Sequence, residues 1–92
     1  MNSKQNEILL IAQEECAEVT QAISKIFRFG MDAKHPNEDR NNKQRLTEEV
    51  GDLLCMIELL IANGVVDEMS VYNAKNAKMT KLAKWSNIFD KE

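Results

Sequence analysis

Two short acidic motifs, Glu15-x-x-Glu18 and Glu49-x-x-Asp52, are each preceded by a further glutamate, Glu14 and Glu48, and each is embedded in an apolar stretch. Acids three apart lie on one side of a helix, a turn from each other. Two helices that carry such pairs and pack face to face aim four carboxylates into one cleft. That cleft needs positive charge, and oxygen-only donors suit a hard divalent cation, Mg²⁺ or Mn²⁺.

The apolar residues around the motifs set the helices. Leu9, Ala12, Cys16, Val19, Ile23 and Ile26 recur at spacings of three and four from about residue 5 to 29, the period of a buried helical stripe, and Gly30 ends it as a C-terminal cap. A second helix starts near residues 43–47 and runs to Ala62, with Leu46, Val50, Leu53, Ile57 and Leu60 as its stripe and Gly64 beyond its end. A third begins at Asp67 or Ser70, both good N-caps, and carries Met69, Tyr72, Asn76, Met79 and Ala83 along one line. Residues 31–44 hold the one Pro and the one His and show no period, so they read as a loop, long for so small a domain. The tail from Trp85 reads as a short appendage.

Shifting the chain by 34 residues lays Glu14 on Glu48, Glu15 on Glu49, Glu18 on Asp52, Ile23 on Ile57 and Gly30 on Gly64. The two acidic helices are pseudo-equivalent. Two copies lacking the aromatic and proline positions of a tetratricopeptide array do not make a solenoid. The fold class expected is all-α: a single domain over residues 1–92, a small bundle of three main helices completed by oligomerisation.

Where the acids sit decides whether they are decoration. At about 100° per residue, Glu15 and Glu18 fall at the edge of their helix's apolar stripe with Ile8, Ile11 and Ala22, and Glu49 and Asp52 fall at the matching edge with Met56. In water, like-charged neighbours on a helix repel by only about 0.2–0.5 kcal/mol per pair. Partial burial raises the cost of an unpaired ion to several kcal/mol, and few cations lie close in sequence to discharge it. A bound metal is the simpler account.

Composition removes other classes. A net charge of -3 argues against nucleic acid, whose phosphates are held by excess Lys and Arg. The run from Leu53 to Ile57 is too short to cross a bilayer. Cys16 and Cys55 have neither zinc-type spacing nor a partnered base, and no signal peptide is evident, so a reduced, cytoplasmic protein is expected. His35 stands alone, which disfavours a di-iron carboxylate bundle with its Glu-x-x-His pairs. Tyr72 reads as core or pocket wall, and Trp85 as a packing anchor.

The pairing of Glu14-Glu15-Cys16-Ala17-Glu18 with Glu48-Glu49-Val50-Gly51-Asp52, on two helices of a small all-α chain, resembles the all-α nucleoside triphosphate pyrophosphohydrolase superfamily, and its MazG-like branch most. The segment Ser24-Lys25-Ile26-Phe27-Arg28-Phe29-Gly30 is similar to the small bacteriophage members, which would place the chain in a host cytoplasm. The resemblance spans roughly residues 9–84. The gap between Glu18 and Glu49 is long for the family and points to an enlarged loop.

The resemblance implies Mg²⁺-dependent hydrolysis of a (deoxy)nucleoside triphosphate between its α and β phosphates, giving monophosphate and pyrophosphate. It implies Glu15, Glu18, Glu49 and Asp52 as metal ligands. Glu15 and Glu18 are the catalytic candidates, with Glu18 favoured as general base, and Glu14 and Glu48 stand behind the ligands. Lys25, two turns beyond Glu18 on nearly the same line, and Arg28 further round are candidate phosphate contacts. Lys75, Asn76 and Lys78 fall where the family places phosphate and sugar contacts, although Lys75, Lys78, Lys81 and Lys84 equally form an ordinary basic face. Other branches, dUTPase-like or phosphoribosyl-ATP hydrolysing, are the alternative within the superfamily. A non-catalytic helical interaction module is the alternative outside it.

Between Leu53 and Ile61 only Glu58 is polar, so the second helix is apolar on nearly every side and two other helices cannot cover it. A homodimer or homotetramer is expected. The 31–44 loop, with Lys34, Arg40, Lys43 and Arg45, reads as a phosphate lid or as an unstructured polar connection.

Overall fold

The computed structural model describes residues 1–90. Three helices follow one another: α1 over Ser3–Phe29, α2 over Asn42–Ala62 and α3 over Glu68–Trp85. No strand occurs among the described residues, so the all-α class holds.

Each helix starts where a side chain satisfies its free N–H groups. Asn2 and Asn41 each accept from the backbone N–H three residues on, Gln5 and Gln44, whose side chains in turn accept from the Asn backbone N–H. These are two capping boxes, and the second starts α2 at Asn42, a residue or more before the expected start. Asp67 caps α3 by accepting from the Ser70 N–H at 2.9 Å. Gly30 and Gly64 leave α1 and α2 at φ 93° and 73°, a region that favours glycine because it has no Cβ.

α1 and α2 form an antiparallel pair. The Gln5 side-chain amide donates to the Asn63 carbonyl at 2.8 Å at one end. The Asn42 amide donates to the carbonyls of Gly30 (2.9 Å) and Lys25 (3.5 Å) at the other. Ile8, Ala12 and Met56 are buried between them, with Ile11 and Leu60 packed alongside, and Ala22 is 1% exposed further along α1. The seam therefore follows Ile8, Glu15 and Ala22 on α1, a seven-residue step, and meets Glu49 and Met56 on α2.

This corrects the expected stripes. Cys16 and Ile23 on α1 and Val50 on α2 are exposed, whereas the residues assigned to the edge, Ile8, Ala22 and Met56, are the core. With a single helix to pack against, each helix buries only a narrow line, and the acids lie on that line.

α3 has no buried residue and makes only marginal contact with the pair. Its line of Met69, Tyr72 and Met79 is exposed, as is Trp85, correcting their expected packing roles within one chain. The result is flat, 42 × 38 × 15 Å. Its radius of gyration of 16.3 Å exceeds the roughly 12 Å of a compact chain this long.

The 31–44 connection is structured. The Asn42 N–H donates to the Ala33 carbonyl at 2.9 Å and the Lys43 N–H to the Met31 carbonyl at 3.0 Å, and Lys34 and Asn41 form an isolated antiparallel bridge. The unstructured alternative for this loop is thereby removed.

Candidate metal and active site

The antiparallel register sets Glu15 of α1 across from Glu49 and Asp52 of α2. One carboxylate oxygen from each of the three lies within 4.8 Å of the others. Glu15 and Glu49 are half-buried and Asp52 is exposed, so the cluster opens to solvent on one side. The Glu15 carboxyl is pushed above its ordinary range, first by desolvation at the seam and then by the charges of Asp52, Glu49, Glu18 and Glu14. Three carboxylates held this close place like charge against like charge. A hard divalent cation would relieve that conflict, and a set of carboxylate oxygens is the donor type such an ion takes.

Glu18 lies outside the three-acid set. Its carboxylate faces the Arg45 guanidinium at 3.9 Å, and a second nitrogen of Arg45 faces Glu38 at 3.9 Å. Glu48, immediately before the second motif, pairs with Arg40, which also contacts Glu38 at 3.5 Å. Cations do therefore approach the acids, contrary to the expectation that few lie close enough: Arg45 is four residues before Glu49, and Arg40 reaches back from the connection. Glu14 is exposed.

Where the end of α1, the connection and the start of α2 meet, a cavity of about 270 Å³ is lined by Lys25, Phe29, Lys34, His35, Glu38 and Arg45, with Ala33, Pro36 and Asn42 completing the wall. Of the candidate phosphate-binding residues, Lys25 lines this cavity. Arg28 does not; it is exposed, its guanidinium 5.0 Å from the Phe29 ring centre. Lys75, Asn76 and Lys78 are exposed on α3, and no ion pair among the described residues joins them to the acids. The Lys75 ammonium instead lies 5.6 Å from the Tyr72 ring centre.

A family model described as the MazG nucleotide pyrophosphohydrolase domain matches residues 3–86. The chain belongs to this family. The match takes in both acidic motifs, the connection and α3, and makes nucleotide pyrophosphohydrolysis, a hydrolase activity, the class of chemistry that the MazG fold brings here. No curated protein and no solved structure matches the chain.

From the sequence, Arg45 groups with the loop as part of a phosphate lid; the structure places it on the first turn of α2, facing Glu18. A usable signal was present: Arg45, Glu49, Asp52 and Met56 are spaced four, three and four apart, one face of α2. His35, Glu38 and Asn42 carried no comparable signal, because irregular backbone brings them to the cavity.

Proposed function

We propose that this MazG domain hydrolyses a nucleoside triphosphate, ribo- or deoxyribo-, between the α and β phosphates, with Mg²⁺, or Mn²⁺ in its place, held by Glu15, Glu49 and Asp52 and completed by Glu18. The observation that carries this reading is the three-acid cluster on the α1–α2 seam, where like charges converge and no ion pair among the described residues reaches them. A cation there supplies positive charge for the phosphate oxygens and acidifies water. The chain's own groups do the rest. Glu15, Glu49 and Asp52 orient the triphosphate by fixing where its counter-charge sits. Glu18, on the same face one turn beyond Glu15, accepts the proton from the attacking water. Lys25 meets phosphate oxygens at the cavity end of α1, and exposed Arg28, one turn further along α1, adds positive charge outside the cavity.

The proposal extends to assembly. For a 10.5 kDa chain a compact monomer exposes about 5,400 Å², yet this one exposes 7423 Å². The surplus matches what obligate subunits bury against one another. Val50 and Leu54 on the outer side of α2, and Met69, Tyr72 and Met79 on α3, form the apolar part of that surface. A homodimer or homotetramer covers it and supplies the route by which Lys75, Asn76 and Lys78 of α3 join a nucleotide site. No helix among the described residues is long and apolar enough to cross a membrane. A cytoplasmic location and a place among the small bacteriophage members belong to the proposal, the latter on residues 24–30.

The test is product analysis. Purified protein is incubated with each ribo- and deoxyribonucleoside triphosphate, with Mg²⁺ and with chelator. Monophosphate and pyrophosphate that appear only with Mg²⁺ support the reading; diphosphate and orthophosphate, or no turnover with any substrate, overturn it. Light scattering on the same sample reads the assembly, and a monodisperse monomer overturns that part.

A further inference from the structure

The α1–α2 seam has a second recess. It is an apolar groove of about 260 Å³ formed by Ile8 and Ile11 of α1 with Met56 and Leu59 of α2, and exposed Lys4 and Glu7 complete its wall. None of the residues assigned above to metal, phosphate or proton transfer lines it. A recess that leaves aliphatic side chains open to water marks a contact surface, and the two charges beside it, one of each sign, restrict what can sit there.

The matching surface lies at the far end of α3. Trp85, Ile88 and Phe89 are 79%, 67% and 49% exposed, and the backbone that presents them is folded. The Ser86 hydroxyl donates to the Leu82 carbonyl at 2.7 Å and accepts from the Ile88 N–H at 3.3 Å, and the Asp90 N–H donates to the Asn87 carbonyl at 3.2 Å. A tail already held in a turn loses little entropy on docking. Lys84 precedes the three apolar side chains and Asp90 follows them. The tail cannot reach the groove of its own chain. The Val65 and Val66 N–H groups donate to the Leu60 carbonyl, which pins the start of α3 to the groove's end of the pair, and the 18 residues of α3 then carry Trp85 about 27 Å away.

We propose that the groove receives Trp85, with Ile88 and Phe89 over its edge, from a second copy of this chain. The exchange is reciprocal, each tail lying in the other copy's groove about a two-fold axis. Lys84 then meets Glu7 and Asp90 meets Lys4, which fixes the direction in which the tail lies and disfavours the reverse one. With about 150–250 Å² for each aromatic side chain and a like area of groove, two such dockings bury on the order of 1,600 Å², the size of a standard stable interface. The contact rests on the assembly proposed above and adds to it a surface distinct from Val50, Leu54, Met69, Tyr72 and Met79; it is independent of the hydrolysis.

Trp85 is the one tryptophan of the chain, so its fluorescence reads the contact directly. In the wild-type chain its emission lies at short wavelength and resists iodide quenching while sedimentation shows a dimer or tetramer, and the two signals change together on dilution. Trp85→Ala and Leu59→Glu, both at exposed residues, each raise the dissociation constant by about thirtyfold or more, the loss expected for a buried aromatic anchor. Mixing these two variants is the decisive arm. One keeps its groove and the other keeps its tail, so the mixed pair regains one of the two contacts and forms more tightly than either variant with itself. Glu7→Lys weakens assembly and Lys84→Glu in the same chain restores it, which serves as the test should Leu59→Glu lose its helical circular dichroism. An oligomer whose Trp85 stays quenchable and whose affinity is unmoved by Trp85→Ala, or a mixture no tighter than its components, overturns the tail exchange alone and leaves the remaining assembly standing. A monodisperse monomer at every concentration overturns both, a shielded Trp85 in it assigning the groove to the chain's own tail.

Discussion

Glu49 and Asp52 of α2 both enter the acid cluster, whereas Glu15 enters it from α1 and Glu18 faces Arg45 instead. The two motifs are the same pattern displaced by 34 residues, so their own spacing cannot produce the difference. Their neighbours do. The residue that the same displacement sets against Arg45 is Ile11. One half of the pseudo-repeat has an aliphatic side chain where the other has a guanidinium, and the guanidinium attracts a carboxylate. A near-symmetric helix pair thus becomes an asymmetric site through one charge. The α1 motif gives one acid to the cluster and the α2 motif two.

The largest effect that sharpens this contrast is on the α2 side. Glu49→Gln or Asp52→Asn removes a donor from the cluster, and with several kcal/mol of charge stabilisation at stake pyrophosphate release falls by about 10³-fold or more. Glu18→Gln lowers turnover by on the order of 10²-fold and changes Mn²⁺ affinity far less than Glu49→Gln does. Equal losses of metal affinity in the two variants would erase the distinction drawn between Glu18 and the cluster.

Next in size is the seam itself. Met56 is 7% exposed at the buried end of the pair, and Met56→Ala destabilises the fold by about 2–5 kcal/mol, read by denaturant unfolding. A loss below half a kcal/mol would mean that α1 and α2 do not pack as described.

The smallest effect is a pH dependence in metal-free protein. Glu15 is held above its ordinary range by desolvation and by its acidic neighbours, so the folded state binds its proton more tightly than the unfolded state does. Stability therefore falls as pH rises from the ordinary glutamate range through the raised value, and the penalty persists above it. Glu15→Gln flattens that segment of the stability profile, and a divalent cation added at neutral pH offsets the penalty in the wild-type chain. An identical profile in the variant would break the assignment of the repulsion to Glu15.

Much of the fold was legible before any coordinates. The helix ends at Gly30 and Gly64 followed from residues with little alternative use, and Asp67 as the cap of α3 followed from its side chain. The acids were found because two like-charged pairs at one helical spacing inside apolar stretches are costly unless used. The rotation of the stripes was not legible. Periodicity states that a helix has an apolar side, and with aliphatic residues at Leu9, Ile11, Val19 and Ile23 that side is broad; which part of it meets a partner depends on how many partners there are. Here one helix packs on another, and the contact narrowed to Ile8, Ala12, Ala22 and Met56. Tyr72 as core and Trp85 as a packing anchor fail for the same reason, since α3 makes only marginal contact with the pair.

The order of residues alone determined the three-helix, all-α architecture, the acidic pairs and their family, because propensity, capping and three-residue spacing act over one or two turns of chain. Only the tertiary structure decided which acids converge, that Arg45 faces Glu18, and that Lys25, Lys34, His35 and Arg45 line one cavity where the connection meets α1 and α2. Those outcomes depend on distances between residues far apart in the chain, and electrostatic energy depends on such distances rather than on position in the sequence.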